Sequence, residues 1–290
     1  MAIEFKKPPN PAKLLFTALR PTASRKPAST GAPIGDVRLR KFAQDSDRLH
    51  TYQKLCGFQP SSTVPSTWLH VLTFPLQTAI MSGRDWPFPT LGTVHMANSM
   101  KMFRPVSVHE ELDLESRVSH LNPHRKGATF ELINNIRCGE ELVWTGRSTY
   151  LATGQDVPGK PVEVERETLP EADPQESWEL DADLGRKYAK VSRDFNPIHL
   201  SSVTAKLFGF NSTIAHGMWT HARALAALGD RVPERFETRV QFTGPVALPS
   251  TGYFTVEDDA YGVIGDDGKP KLAGSFWAID DSPIGVPVQE

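Results

Sequence analysis

Gly217-Met218-Trp219-Thr220-His221-Ala222-Arg223-Ala224-Leu225-Ala226-Ala227-Leu228 is the stretch on which the fold turns. It is rich in Ala, Leu and Met, strong helix formers, and predicts one apolar helix. Strands are predicted after it at 238–242, 251–256, 262–264 and 272–279, with a turn at Asp266-Asp267-Gly268 before the last. The first half repeats this order. Residues 74–81 are apolar at helical spacing, with Pro75 expected at the first helical position. Strands follow at 112–120, 129–138 and 142–151. The middle one alternates as Phe130, Leu132, Asn134, Ile136, and Gly139-Glu140 makes the next turn. A central helix followed by an antiparallel meander, twice over, predicts an α+β fold of two sheets, each wrapped around a helix.

Short strings support the repeat. Thr51-Tyr52-Gln53-Lys54-Leu55 resembles Lys187-Tyr188-Ala189-Lys190-Val191, and Met102–Val106 resembles Phe242–Val246. The Tyr-to-Pro separation is 53 residues in the first half and 57 in the second. Between the halves, residues 154–177 hold four prolines and seven acids, the composition of an extended linker. The predicted organisation is a basic arm (1–35), a first domain (36–153), the linker (154–177) and a second domain (178–290).

The chain has 290 residues, 39% hydrophobic and 23% charged, the balance of a globular protein with room for two domains. Two cysteines, Cys56 and Cys138, exclude a disulfide scaffold and a cysteine-rich zinc module and suit a reducing compartment. A net charge of −2 gives no sign of nucleic-acid binding, and no apolar run reaches the ~18 residues of a membrane span. Residues 1–50 carry ten Lys/Arg against four Asp/Glu. The only apolar piece of the arm, Leu14-Leu15-Phe16, is too short for a signal peptide; the arm reads as a mobile segment with one short helix laid on the body, and an organelle presequence is the alternative. The expected location is cytoplasmic.

No Gly-x-Gly-x-x-Gly, P-loop, Gly-x-Ser-x-Gly or His-Glu-x-x-His occurs, which removes the usual nucleotide, serine-hydrolase and zincin signatures. Chemistry concentrates in Tyr188-Ala189-Lys190-Val191-Ser192-Arg193-Asp194-Phe195-Asn196-Pro197-Ile198-His199. Asn196 precedes a proline and is pushed out of helical space, so Asp194 and His199 belong to a loop before a helix starting near Ser201 or Ser202. A carboxylate beside an imidazole forms an acid–base pair able to hold one water. The plainer reading is turn chemistry with a histidine bonded to the loop. Downstream, Ile214-Ala215-His216-Gly217 opens the apolar helix. The first N–H groups of a helix lack internal partners and could polarise a thioester carbonyl, or Gly217 simply permits the turn. His216 could equally be a loop histidine satisfied by a neighbouring carbonyl.

Together, Tyr-Ala-x-Val-Ser-x-Asp-x-Asn-Pro-Ile-His and the later Ala-His-Gly-Met resemble the hydratase motif of the MaoC-like dehydratases, the R-specific enoyl-CoA hydratase family. Ala205–Phe210 resembles the same family. In the first half Leu72–Pro75, Asp85–Phe88, Gly92–His95 and Phe103–Pro105 resemble the non-catalytic half of its long members. The resemblance covers roughly residues 50–152 and 180–280. It implies a double hot-dog fold, with a catalytic second half and a first half that binds the acyl chain. The implied reaction interconverts a (3R)-3-hydroxyacyl thioester of CoA or acyl carrier protein with the trans-2-enoyl thioester.

By the same resemblance Asp194 and His199 are the acid–base pair, Asn196 orients them, and the Gly217 N–H stabilises the enolate-like oxygen. Ser202, His216 and Arg193 are substrate-binding candidates. Arg193 departs from the family pattern, which has glycine there; the expectation is that it points outward, towards a CoA or carrier phosphate. No cofactor or metal is implied; a metal held by Asp194, His199 and His216 is an alternative. The functional alternatives are a hot-dog thioesterase, disfavoured because 218–228 contain no Asp or Glu, and a non-enzymatic acyl-binding subunit. A homodimer is compatible with the fold. Trp68, Trp86 and Phe88 are expected in the core or the acyl tunnel. His120, His124, Arg125 and Lys126 are expected in a solvated hairpin.

Overall fold

The computed structural model describes residues 3–10, 14, 35–83, 85–90, 92–119, 121–161 and 165–280. In the first half, β1 (Ile3–Phe5) and β2 (Val37–Phe42) precede the helices α1 (Ser46–Cys56) and α2 (Ser66–Met81). The strands β3 (Thr93–Met102), β4 (Leu112–Val118), β5 (Asn122–His124), β6 (Gly127–Cys138) and β7 (Glu141–Thr153) follow. The second half has β8 (Glu176–Leu180), then helices α3 (Leu184–Ser192), α4 (Ser202–Leu207) and α5 (Gly217–Leu228). It ends with the meander β9 (Phe236–Phe242), β10 (Ser250–Glu257), β11 (Ala260–Gly265) and β12 (Pro270–Ala278).

Each half wraps strands around a buried helix. The α2 helix buries Trp68, Leu69, Leu72, Leu76 and Ile80, and α5 buries Met218, Trp219, Ala222, Leu225 and Leu228. The period-two pattern of β6 turns Phe130, Leu132, Asn134 and Ile136 inward. The buried Asn134 side chain accepts from Ser116 Oγ at 2.7 Å.

The two expected sheets are joined edge to edge into one continuous sheet. Strands run β1-β2-β4-β6-β7-β3-β9-β12-β11-β10-β8, with β5 alongside β6. The seam is the antiparallel pair β3–β9, from Ala97↔Gln241 to Met102↔Phe236. Both strands would otherwise be open edges, and pairing them satisfies their backbone groups. The repeat also meets itself in the helices: α1 packs on α3, and the rings of Tyr52 and Tyr188, matched in the two repeat strings, lie 6.1 Å apart. Trp219 Nε1 of α5 donates to the Leu55 carbonyl of α1 at 3.1 Å.

Three local expectations change. Pro75 lies inside α2, which begins eight residues earlier than predicted. An internal proline costs ~3 kcal/mol, and the continuous burial of this helix outweighs it. In the arm, Ile3–Phe5 forms a strand parallel to β2, and the Leu14 carbonyl accepts from Ser82 Oγ. Leu15 and Phe16, from the arm's apolar piece, lie outside the described residues. The stretch before β8 is extended but bound along the second half: Gln175 N donates to the Phe254 carbonyl, and Ser275 Oγ to Glu167. Trp68, Trp86 and Phe88 are core residues, at most 1% exposed. Lys126 N donates to His124 Nδ1 in the β5–β6 turn, and His120 lies outside the described residues. Among the described residues no helix is long and apolar enough to cross a membrane.

Leu76 is fully buried at the middle of α2. Leu76→Ala is expected to destabilise the chain by ~2–5 kcal/mol. Urea unfolding followed by tryptophan fluorescence checks this. With the halves joined through β3–β9, a single transition is expected for both.

Candidate active site

The chain between α3 and α5 is held at several points. The α3 helix ends on Arg193, whose φ of 67° is left-handed, and its N–H bonds to the Ala189 carbonyl. Glycine relieves the cost of that conformation, which accounts physically for glycine in the family pattern. Asp194 then caps its own turn: its Oδ1 accepts the Asn196 N–H at 3.0 Å. Asn196 Oδ1 caps the short 3-10 turn Pro197–His199. Gly185 of α3 packs against this turn so closely that a Cβ there would collide with the His199 carbonyl.

The entry to α5 is clamped from both sides. Ile214 N donates to Ile198 O, Ala215 N to Val246 O, and Leu248 N to Thr213 O. These bonds bring His216 and Gly217 against the Asp194 loop. His199 Nδ1 hydrogen-bonds the Ile214 carbonyl at 2.8 Å, and His216 Nε2 the Asp194 carbonyl at 3.1 Å. The two imidazoles stack with centroids 3.6 Å apart. One nitrogen or oxygen from each of Asp194, His199 and His216 lies within 4.8 Å of the others. A carboxyl and an imidazole at that separation can share one water.

Asp194, Asn196, His199, His216 and Gly217 line one cavity of about 600 Å³. The second half contributes Asp194, Asn196, His199, His216 and Gly217, with Arg193 exposed at the rim. The first half contributes an opposite wall that includes His70, Phe74, Met81, His95 and Tyr150. Ser202 is not brought to the site. It is exposed at the start of α4, whose N-cap is Ser201, and does not line the cavity. Gly217 has a packing reason of its own: the Phe242 ring lies 2.9 Å from where a Cβ would be. Its N–H, first in α5, has no acceptor within the helix.

Burial sets the electrostatics. It raises the Asp194 carboxyl above the usual carboxylate range, opposed by the His199 charge and the Asn196 N–H. Burial lowers His199, opposed by Asp194 and by the bond to Ile214. His216 lies well below the usual imidazole range through burial and the neighbouring His199. Burial and the Asp194 charge raise the Tyr150 phenol. Both members of the couple are thus pushed towards their neutral forms, a protonated carboxyl and an unprotonated imidazole.

Sequence reading missed His70 and Tyr150 as site residues and met His95 only within a resembling string. They come from a helix and two strands far apart in sequence, and no local motif marks them. Their only signal is polarity in segments that otherwise read as core.

Three comparisons bear on this geometry. The family model of the MaoC like domain matches residues 158–268. A curated relative, 3-hydroxyacyl-thioester dehydratase X of Mycobacterium tuberculosis, is 32% identical over 237 residues, covering 80% of this chain and 84% of that protein. Among solved structures, HtdX of Mycobacterium tuberculosis superposes with a TM-score of 0.75 at 28% identity, over 84% of this chain and all of that one. A conserved hypothetical protein of the same organism, described as a double hotdog fold, superposes with a TM-score of 0.54 at 13% identity, over 89% and 98% of the two chains. The architecture of this chain is therefore a double hot dog.

The buried histidines carry a stability signature. His70 is lowered to about 4 and His221 to about 3, both by burial. Above the ordinary imidazole value of 6.5 neither contributes any pH dependence. Below it the unfolded chain takes up protons that the folded chain refuses, so stability falls from pH 6.5 towards about 4, where folded His70 begins to titrate. The slope is at most ~1.4 kcal/mol per pH unit for each histidine. Asp194, shifted upward, acts in the opposite sense nearer the carboxylate range. Urea midpoints measured against pH are expected to fall over this window, with a shallower slope in His70→Leu.

Proposed function

The chain belongs to the MaoC-like dehydratase family and is a hydro-lyase, and from that premise we propose that it interconverts (3R)-3-hydroxyacyl and trans-2-enoyl thioesters of CoA or acyl carrier protein. The observation that carries the reading is the meeting of Asp194, His199 and the uncommitted Gly217 N–H at one cavity. Burial shifts the Asp194 carboxyl upward and the His199 imidazole downward, the directions that suit a proton donor and a proton acceptor in dehydration. His199 takes the α-proton, and Asp194 gives its proton to the leaving hydroxyl. The electrons of the broken C–H bond form the new double bond as water leaves. In hydration the same groups run in reverse, with Asp194 drawing the proton from the bound water.

The thioester carbonyl gathers negative charge during proton removal, and the Gly217 N–H at the positive end of α5 stabilises it. A donor of this kind contributes ~3–4 kcal/mol. Asn196 positions the pair through its own N–H on Asp194 and its cap on the turn that carries His199. His216 positions it from behind, stacked on His199 and bonded to the Asp194 backbone. Arg193 at the rim is suited to a phosphate of CoA or of a carrier's prosthetic arm, where charge helps without being buried.

The reaction as written uses no metal. The stacked rings of His199 and His216 hold their nitrogen lone pairs in nearly parallel planes, whereas ligands of one ion must converge. Activity is therefore expected to be unchanged by chelators, and a stoichiometric metal lost together with activity overturns this part of the reading.

Hydration of crotonyl-CoA, followed by loss of the enoyl absorbance, is the direct assay. Asp194→Asn and His199→Ala are each expected to lower turnover by ~10²–10⁴-fold. Release of free CoA in place of hydration identifies a thioesterase and sinks the proposal.

A further inference from the structure

The lip of the cavity carries a surface that the acid–base chemistry does not use. The α4 helix turns Ser202, Val203, Lys206 and Leu207 to solvent and packs inward through Ala205. Val203 and Leu207, one turn apart, are 72% and 79% exposed. Neither lines the cavity, yet Phe208 and Phe210, which follow α4 directly, do. Single exposed aliphatic side chains are ordinary on a protein surface. A pair at i and i+4 beside the opening forms a ridge that a partner can cover.

A basic stripe runs beside the ridge. Arg186, Lys190 and Arg193 follow one another at i, i+4 and i+7 along α3 and its cap, all exposed. They span about 10 Å at the helical rise. The stripe starts at the foot of α4, where Arg186 Nη1 donates to the Leu200 carbonyl at 3.3 Å, and ends at Arg193 on the rim. Lys206 adds a charge on the ridge itself. Lys187 is paired with Asp181 and Asp183, but among the described residues no carboxylate pairs with Arg186, Lys190, Arg193 or Lys206. Residues 184–210 hold five Lys/Arg and a single carboxylate, Asp194, in a chain of net charge −2.

We propose that the α3–α4 face docks an acidic acyl carrier protein, which delivers the thioester into the cavity in place of free CoA. The inference rests on the cavity being the thioester site proposed above and goes further by choosing between its two carriers. The phosphates of CoA could meet the charges, but a ligand that enters the cavity leaves Val203 and Leu207 in water. A protein standing at the mouth covers the ridge with its own apolar residues and lays its carboxylates on the stripe. A second copy of this chain, related by a two-fold axis through the same face, would set the four unpaired cations against themselves, and like charges oppose it.

Binding without turnover tests this. The probes are a labelled type II acyl carrier protein, strongly acidic and loaded with a hexanoyl group, read by fluorescence anisotropy on the full chain, and hexanoyl-CoA, read by calorimetry. The wild-type chain is expected to bind the loaded carrier at least tenfold more tightly than hexanoyl-CoA. Lys190→Glu and Leu207→Ser should each weaken the carrier about tenfold while hexanoyl-CoA binds as before, which also reports that the variant is folded. Equal or weaker binding of the carrier by the wild-type chain overturns the proposal, and this ratio decides alone if a variant does not fold. Variants that weaken both probes alike assign the stripe to CoA and overturn it too. So does a dimer, measured by sedimentation, that Leu207→Ser dissociates. Hydration of the crotonyl thioesters on the same samples separates the two readings: hydration without tighter carrier binding removes only the docking, and tighter carrier binding without hydration removes only the dehydratase chemistry.

Discussion

The pairing of β3 with β9 is the contact on which the rest depends. Each hot dog by itself would leave that strand as an open edge and half of the cavity unwalled. Backbone bonds from Ala97 to Met102 join the edges into one sheet and fix the halves in a single relation. That relation puts His95, early in β3, beside Phe242, the last residue of β9, with ring centroids 5.0 Å apart. Phe242 in turn packs against Gly217. A slip of one residue along the seam would send the side chains of one strand to the opposite face and dismantle the wall.

Within that frame the site is built from loops stiffened by backbone bonds. The Asp194 turn and the 3-10 turn are capped by the Asp194 and Asn196 side chains, and the entry to α5 is held by backbone groups of Ile198, Ile214, Val246 and Leu248. The side chains are left to face the cavity. His216 lines the cavity as well and also contacts Asp194 and His199. Desolvation moves carboxyl and imidazole in opposite directions, and the same low dielectric strengthens the interactions of any charge at the site.

The two repeats differ at matching positions. Tyr52 and Tyr188 occupy matching places and nearly meet, yet the segment after Tyr52 reads Gln53-Lys54-Leu55-Cys56-Gly57-Phe58-Gln59-Pro60 and has neither the Asp nor the His. The first half kept the helix and the strands and gave its inner surface to the cavity.

Much was legible in one dimension because it is local. The span of α5 follows from a run of helix-forming residues, β6 from its alternation, and the loop carrying Asp194 and His199 from a proline after Asn196 and the spacing of a long motif. Three things were beyond sequence reading. The internal position of Pro75 reflects burial of the whole α2 helix, which overrides a local preference. The strand β3 lacks a clean alternation, because a central strand draws its stability from neighbours on both sides. His70, His95 and Tyr150 face Asp194 only because distant strands close around one space. Local rules determined which segments form and where Asp194 and His199 lie; long-range pairing alone decided what stands across from them, since opposite walls of a cavity share no stretch of chain.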